Sequence, residues 1–239
     1  MSKQSFDGSE YGDRPLPRQF WIKMEYVVKR VLLAALSCIP LYAQANDVAK
    51  SITLQGNKQG ATACQTCHGA DGGGTPATGF PRLAGLNAGY IERQLQNFRS
   101  GKRNSPVMQP IAKLLTPKEV PMLAAYYASL PIPAFKAEGG DQALLNKGEI
   151  LATRGDWDHG IPACFQCHGP EGKGVGSAFP AISGQSAIYI YSQIKAWKSS
   201  TRTNDPVGLM KSVSDKLTAA QAKAVSAFLA NHQPTNGNQ

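Results

Sequence analysis

Two short stretches of the sequence carry residue types that bind metals and react as nucleophiles: Cys64-Gln65-Thr66-Cys67-His68-Gly69 and Cys164-Phe165-Gln166-Cys167-His168-Gly169. Three chemistries use two cysteines separated by two residues. A dithiol redox pair needs a strand-helix-strand setting that neither stretch has. A zinc site built from both pairs needs them roughly 15 to 20 residues apart, whereas 96 residues separate Cys67 from Cys164. The third chemistry uses the histidine that directly follows each pair. Cys-x-x-Cys-His is the spacing of covalent haem attachment, in which two thioethers fix the porphyrin to a short turn and deliver the next imidazole beneath the iron. On this reading Cys64, Cys67, Cys164 and Cys167 are the thioether anchors, and His68 and His168 are axial iron ligands.

A second axial ligand must then come from the other face of each haem, and methionine thioether is the one that raises the potential of c-type cytochromes. Beyond residue 45 the chain has Met108, Met122 and Met210. Met108 and Met210 occupy matching places, each in a polar, Pro-containing loop before a helix, and are expected to ligate iron. Met122 has Ala224 as its counterpart and reads as core packing. His159, His232 and lysines are the alternatives; both histidines read as solvated surface residues. Iron ligated on both faces offers no open position to a substrate, so the expectation is an electron carrier and not an enzyme.

The elements that position these residues are written twice. After the cysteine motifs, offset by 100, Phe80-Pro81, Gly85, Tyr90, Gln94, Leu95, Phe98 and Arg103 match Phe179-Pro180, Gly184, Tyr189, Gln193, Ile194, Trp197 and Arg202 at an offset of 99. Two inserted residues then shift Met108, Ile111, Leu115 and Thr116 onto Met210, Val213, Leu217 and Thr218. Such self-similarity marks a repeated structural unit. Tyr90 to Phe98 and Tyr189 to Trp197 place large apolar residues on one helix face. Thr116-Pro117-Lys118-Glu119 and Thr218-Ala219-Ala220-Gln221 have the pattern of capping boxes that open a last helix in each copy. Leu130 to Ala134 and Glu138-Gly139-Gly140 read as a Pro/Gly linker. No strand-like alternation of useful length occurs. The fold class is therefore all-α: a leader over residues 1–45 and two tandem helical domains, 46–134 and 135–239.

Val31 to Tyr42 is an apolar run behind Lys29 and Arg30 and ahead of Ala43-Gln44-Ala45, the layout of an export signal cleaved after Ala45. Met24 is a candidate translation start. The run is shorter than the roughly 20 residues that span a bilayer, and cleavage would discard Cys38. The predicted location is the periplasm, with no transmembrane span in the mature chain. The whole sequence carries a net charge of +9, with 24 glycines and 16 prolines in 239 residues. This indicates a folded, loop-rich protein and not a polybasic tail. Residues 46–137 hold 10 basic and 4 acidic residues, against 9 and 8 over 138–239. That asymmetry reads either as a surface steering acidic partners or as solvated charge; an exported protein meets no nucleic acid.

With these motifs in view, the chain from about residue 46 to 232 resembles dihaem cytochromes of the cytochrome c4 type. The resemblance is carried by the two Cys-x-x-Cys-His-Gly motifs with Asp71-Gly72 or Glu171-Gly172 beyond them, by Phe80 to Gly85 and Phe179 to Gln185, and by the two methionine loops. It implies two class I cytochrome c domains, each a small helical fold around a covalently bound haem c, packed so that the haem edges approach. It also implies that the carbonyls of Pro81 and Pro180 orient His68 and His168. Two departures stand out. Leu54 to Gly60 is a poor helix where the first domain's N-terminal helix belongs, and Asp156 to Pro162 reads as a partner-specific loop. The function expected is a periplasmic dihaem carrier between redox proteins, such as a membrane cytochrome complex and a terminal oxidase or reductase. The alternative is the cytochrome subunit of a periplasmic dehydrogenase, for example one oxidising a sulfur compound. Peripheral membrane association stays open.

Overall fold

The structure is a computed structural model that describes residues 44–134, 136–205 and 207–233. The export signal over Val31 to Tyr42, the candidate start Met24 and Cys38 lie outside the described residues. Asn46–Gln239 forms one compact unit. No helix among the described residues is long and apolar enough to cross a membrane.

Five helices recur in each half. The first half has α1 (residues 44–55), α2 (Gln65–His68), α3 (Ala88–Ser100), α4 (Met108–Lys113) and α5 (Glu119–Ser129). The second has α6 (Gln142–Thr153), α7 (Cys164–His168), α8 (Ala187–Lys198), α9 (Leu209–Lys216) and α10 (Ala219–Asn231). Strand pairing among the described residues is confined to isolated bridges. The all-α class and the tandem arrangement expected from the sequence hold.

Capping residues set several helix starts. Asn87 accepts from the Tyr90 amide to open α3, and Ser186 accepts from the Tyr189 amide to open α8. The full Thr218–Gln221 capping box opens α10. At α5 the same reciprocal pair forms, Thr116 N–H to Glu119 Oε2 at 2.7 Å and Glu119 N–H to Thr116 Oγ1 at 3.3 Å. Yet the regular helix begins only at Glu119. The N-terminal helix of the first half also departs from expectation. Leu54 to Gly60 is where α1 stops, and the helix itself lies upstream, ending before Gly56 at φ +82°.

Each half has its own apolar core. Ile52, Leu115, Val120 and Leu123 gather around α1 and α5, with Leu86, Tyr90, Ile91 and Tyr127 beside them. Leu151, Ile161, Ile194, Leu217, Val225 and Leu229 do the same in the second half. There α6 crosses α10 at Gly148, where a Cβ would stand 2.1 Å from the Ala224 carbonyl oxygen. At the offset of 99, Ala49 of α1 holds the equivalent place and is fully buried. Small residues let the paired helices approach closely in both halves.

The halves meet about a local two-fold axis. Arg103 and Arg202 face each other in an antiparallel bridge, flanked by Asn104 N–H to Thr201 O at 2.9 Å and Thr203 N–H to Lys102 O at 2.7 Å. Elsewhere the interface is asymmetric. Gln185 bonds both the N–H and the C=O of Arg82, at 3.0 and 2.8 Å, and the Arg82 guanidinium reaches the carbonyls of Ala84 and Ser183.

Candidate haem-binding site

The two cysteine motifs form the short turns α2 and α7, which end on buried histidines. His68 Nδ1 lies 2.9 Å from Pro81 O, and His168 Nδ1 lies 2.7 Å from Pro180 O. A carbonyl can only accept, so each Nδ1 carries the proton and each Nε2 keeps a free lone pair. Burial holds both imidazoles below their ordinary pKa, and the prolyl carbonyls only partly offset it. Both rings are thus neutral, as an iron ligand must be. Phe80 and Phe179 stand edge-on to these imidazoles, at 6.3 and 6.2 Å between centroids.

Two glycines close the loop that carries each prolyl carbonyl. Gly74 N–H bonds His68 O at 2.8 Å and Gly174 N–H bonds His168 O at 2.7 Å. Both have φ near +90°, at +84° and +92°. A Cβ on Gly74 would meet Phe80 O at 2.6 Å, and one on Gly174 would meet Ala181 N at 2.6 Å. The conformation and the space both require glycine.

None of the four described cysteines is in a disulfide. Cys67 is half-buried and Cys167 exposed, whereas burial pushes the Cys164 thiol up to about 11 and raises that of Cys64. Met108 and Met210, expected in loops, lie in the first turns of α4 and α9. Local capping draws the helices over them. Ser105 Oγ accepts from Met108 N–H at 3.1 Å, and Asp205 Oδ2 accepts from the amides of Met210 and Lys211 at 2.5 and 3.2 Å.

One continuous cavity of about 490 Å³ runs through both halves, and its lining includes all four cysteines, His68, His168, Met108 and Met210. Its walls are mostly apolar. Its polar residues include Gln94, Gln193, Arg103, Arg202 and Trp197, which gather where the halves meet. The Arg202 guanidinium lies 3.8 Å over the Trp197 ring and that of Arg103 4.5 Å over Phe98. Trp197 Nε1 is buried without a partner. A flat apolar group carrying carboxylates would supply what this lining lacks: contacts for the walls, acceptors for Trp197 and counter-charges for the arginines. The donor set of two thiols, a neutral imidazole and a thioether in each half matches haem c.

The remaining candidates separate cleanly. Neither His159 nor His232 lines the cavity, and nor does Met122, which packs on the first core. His159 is exposed and bonded to Asp156 at 2.8 Å. His232 is no solvated surface residue, because α10 brings it back against Phe228 and Phe165, at 5.1 and 5.5 Å between centroids. No cluster of three or more His, Cys, Asp or Glu suited to a metal ion occurs among the described residues. The Asp156–Pro162 insert is an ordered turn around the short helix Trp157–His159, tied to α10 by Gln221 Nε2 donating to Asp156 Oδ2 at 2.9 Å. Sequence reasoning passed over Gly74, Gly174, Trp197 and the two arginines as site residues. The matched polar residues Gln94/Gln193 and Arg103/Arg202, set among apolar helix positions, were the available signal.

A family model described as cytochrome c matches residues 54–131 and 161–233. Over 193 residues the chain is 46% identical to a thiosulfate dehydrogenase electron acceptor of Stutzerimonas stutzeri (strain A1501), covering 81% of this chain and 89% of that protein. Among solved structures, the as-isolated thiosulfate dehydrogenase (TsdBA) from Marichromatium purpuratum superposes with a TM-score of 0.74 at 38% identity, covering 79% of this chain. This chain spans only 40% of that larger protein. Reduced recombinant cytochrome c4 from Pseudomonas stutzeri superposes with a TM-score of 0.66 at 34% identity, covering 73% of this chain and 96% of that one.

Proposed function

The chain belongs to the cytochrome c family as a dihaem electron carrier of the cytochrome c4 kind with two covalently bound haem c groups, and on that premise we propose that it is the periplasmic electron acceptor of a thiosulfate dehydrogenase. Bound haem supplies reversible one-electron chemistry at iron. The protein supplies the rest. Cys64 and Cys67 hold one haem and Cys164 and Cys167 the other; His68 and Met108, and His168 and Met210, ligate the two irons. Pro81 and Pro180 keep each imidazole in the ligating tautomer. The apolar walls would keep water from the haem they hold. The domains are 46–134 and 135–239, behind a cleaved leader ending at Ala45.

The observation that supports the ligation is the pair of prolyl carbonyls on His68 and His168, with the four cysteines and both methionines in the lining of the same cavity. The partner rests on the 46% identity to an electron acceptor of that dehydrogenase, sustained over most of both chains. The test mixes oxidised protein with thiosulfate and catalytic amounts of a thiosulfate dehydrogenase and follows the visible spectrum. Reduction of both haems at a rate proportional to dehydrogenase is expected. Reduction no faster than with thiosulfate alone overturns the partner assignment and favours a carrier between a membrane complex and a terminal oxidase, the role suggested by the likeness to cytochrome c4.

A further inference from the structure

Arg103 and Arg202 hold the same place in the two repeats and lie on either side of the local two-fold axis. They are only 5% and 4% exposed. Their hydrogen-bond partners among the described residues are all neutral. Arg103 donates to Gln94 Oε1 at 3.1 Å, Gln193 Oε1 at 2.6 Å and Tyr189 Oη at 2.7 Å. Arg202 donates to Gln94 Oε1 at 3.1 Å, Gln193 Oε1 at 2.9 Å, Asn204 Oδ1 at 2.9 Å and Tyr90 Oη at 3.5 Å. Both cations therefore share the same two amide oxygens. Burial, with Arg103 beside it, pushes Arg202 down to about 10. Two like charges withdrawn from water need an anion between or beside them. Both arginines line the cavity, and the anions that a haem carries into it are its carboxylates.

We propose that Arg103 and Arg202 form one cationic bridge shared by both haem sites, so that the potential of each haem is set by an arginine from each repeat. The proposal rests on the haem reading above. Sharing follows from the crossing of the side chains: Arg103 of the first half ends on Tyr189 and Gln193 of the second, and Arg202 of the second ends on Tyr90 and Gln94 of the first. A nearby positive charge disfavours the more positive, oxidised haem. Removing either arginine lowers both potentials. Arg82 provides the contrast, since it is buried at the same interface but bonded to carbonyls of Ala84 and Ser183 and absent from the cavity lining.

The test is a spectroelectrochemical titration of holo-protein for wild type, R103Q, R202Q and R82Q, with haem content measured in each. R103Q and R202Q should each move both midpoints downward, R103K should return them toward wild type, and R82Q should leave them in place. Gln193→Glu sets a carboxylate beneath both guanidiniums and should lower both midpoints as well, without removing any buried contact; it decides the matter if an arginine variant fails to accumulate. Movement of one midpoint only, movement of neither, or an equal shift in R82Q overturns the bridge. Fewer than two haems in the wild-type protein would instead sink the haem reading beneath it.

Discussion

Gly148 of α6 lies so close to Ala224 of α10 that a methyl group at Gly148 would stand 2.1 Å from the Ala224 carbonyl oxygen and 2.6 Å from Phe228 Cβ. Neither obstacle is a flexible chain end. The helices must part for Gly148→Ala to fold, at a cost of about 3 kcal/mol, the upper end of ordinary overpacking. The equivalent Ala49→Gly in the first half removes a methyl group and adds backbone freedom, and should cost only about 1 kcal/mol. Urea unfolding of the two variants checks the difference; equal losses would mean that the α6–α10 crossing is not the tight point.

Gly174→Ala combines two penalties, a left-handed φ of +92° and a Cβ 2.6 Å from the Ala181 amide. The strain alone amounts to roughly 1–2 kcal/mol. The segment that must yield carries Pro180 O, so the variant should lose both stability and the His168 orientation. Thermal unfolding and a shifted potential of one haem are the readouts; an unchanged potential would separate Gly174 from the site. Gly74→Ala should act likewise on His68.

Asp205 caps the amides of Met210 and Lys211 at the start of α9. Removing such a cap costs about 1 kcal/mol, here in a helix of only eight residues. Asp205→Ala should loosen Met210 from the iron, so that the methionine-to-iron charge-transfer band disappears at a lower temperature than in wild type. Met210→Ala should abolish that band for one haem and Met108→Ala for the other. A band of full intensity in both methionine variants would reject the ligation.

Helix positions, the tandem fold and the cysteine and histidine side chains that share the cavity were legible because each is written locally: apolar residues on one helix face, Thr116 and Thr218 ahead of Glu119 and Gln221, His directly after Cys. The conformation of Gly74 was not, since its reason is a backbone that passes close only after folding. The Arg103–Arg202 pairing was half legible. Repeat alignment put the two in register, but docking of one copy on the other is a long-range event that periodicity does not encode. His232 was misread because the polar tail around it gave no hint of Phe165 nearby. Leu54 to Gly60 gave no helix signal because α1 ends there, before Gly56.

Charge is uneven, with 10 basic and 4 acidic residues over 46–137. Exposed Lys102 and Lys113 belong to this half. If that surface steers the donor, electron transfer should slow as ionic strength passes about 0.1 M, where the Debye length falls to about 10 Å. Lys102→Glu with Lys113→Glu should slow it at low salt. A rate flat across ionic strength would assign these charges to solvation alone.

Each half relies on the haem to fill its interior, as small domains commonly need a staple beyond their own core. A variant with all four cysteines changed to alanine should therefore be largely unfolded by circular dichroism. A cooperative, near-native melt would refute this.

The contrast between Cys164 and Cys167 bears on the order of manufacture. Cys167 is exposed, whereas Cys164 is half-buried and burial raises its thiol to about 11, which makes it the poorer nucleophile. Thioether formation at Cys164 should therefore be quicker on a chain that has not yet closed around it, which sets haem attachment ahead of final folding.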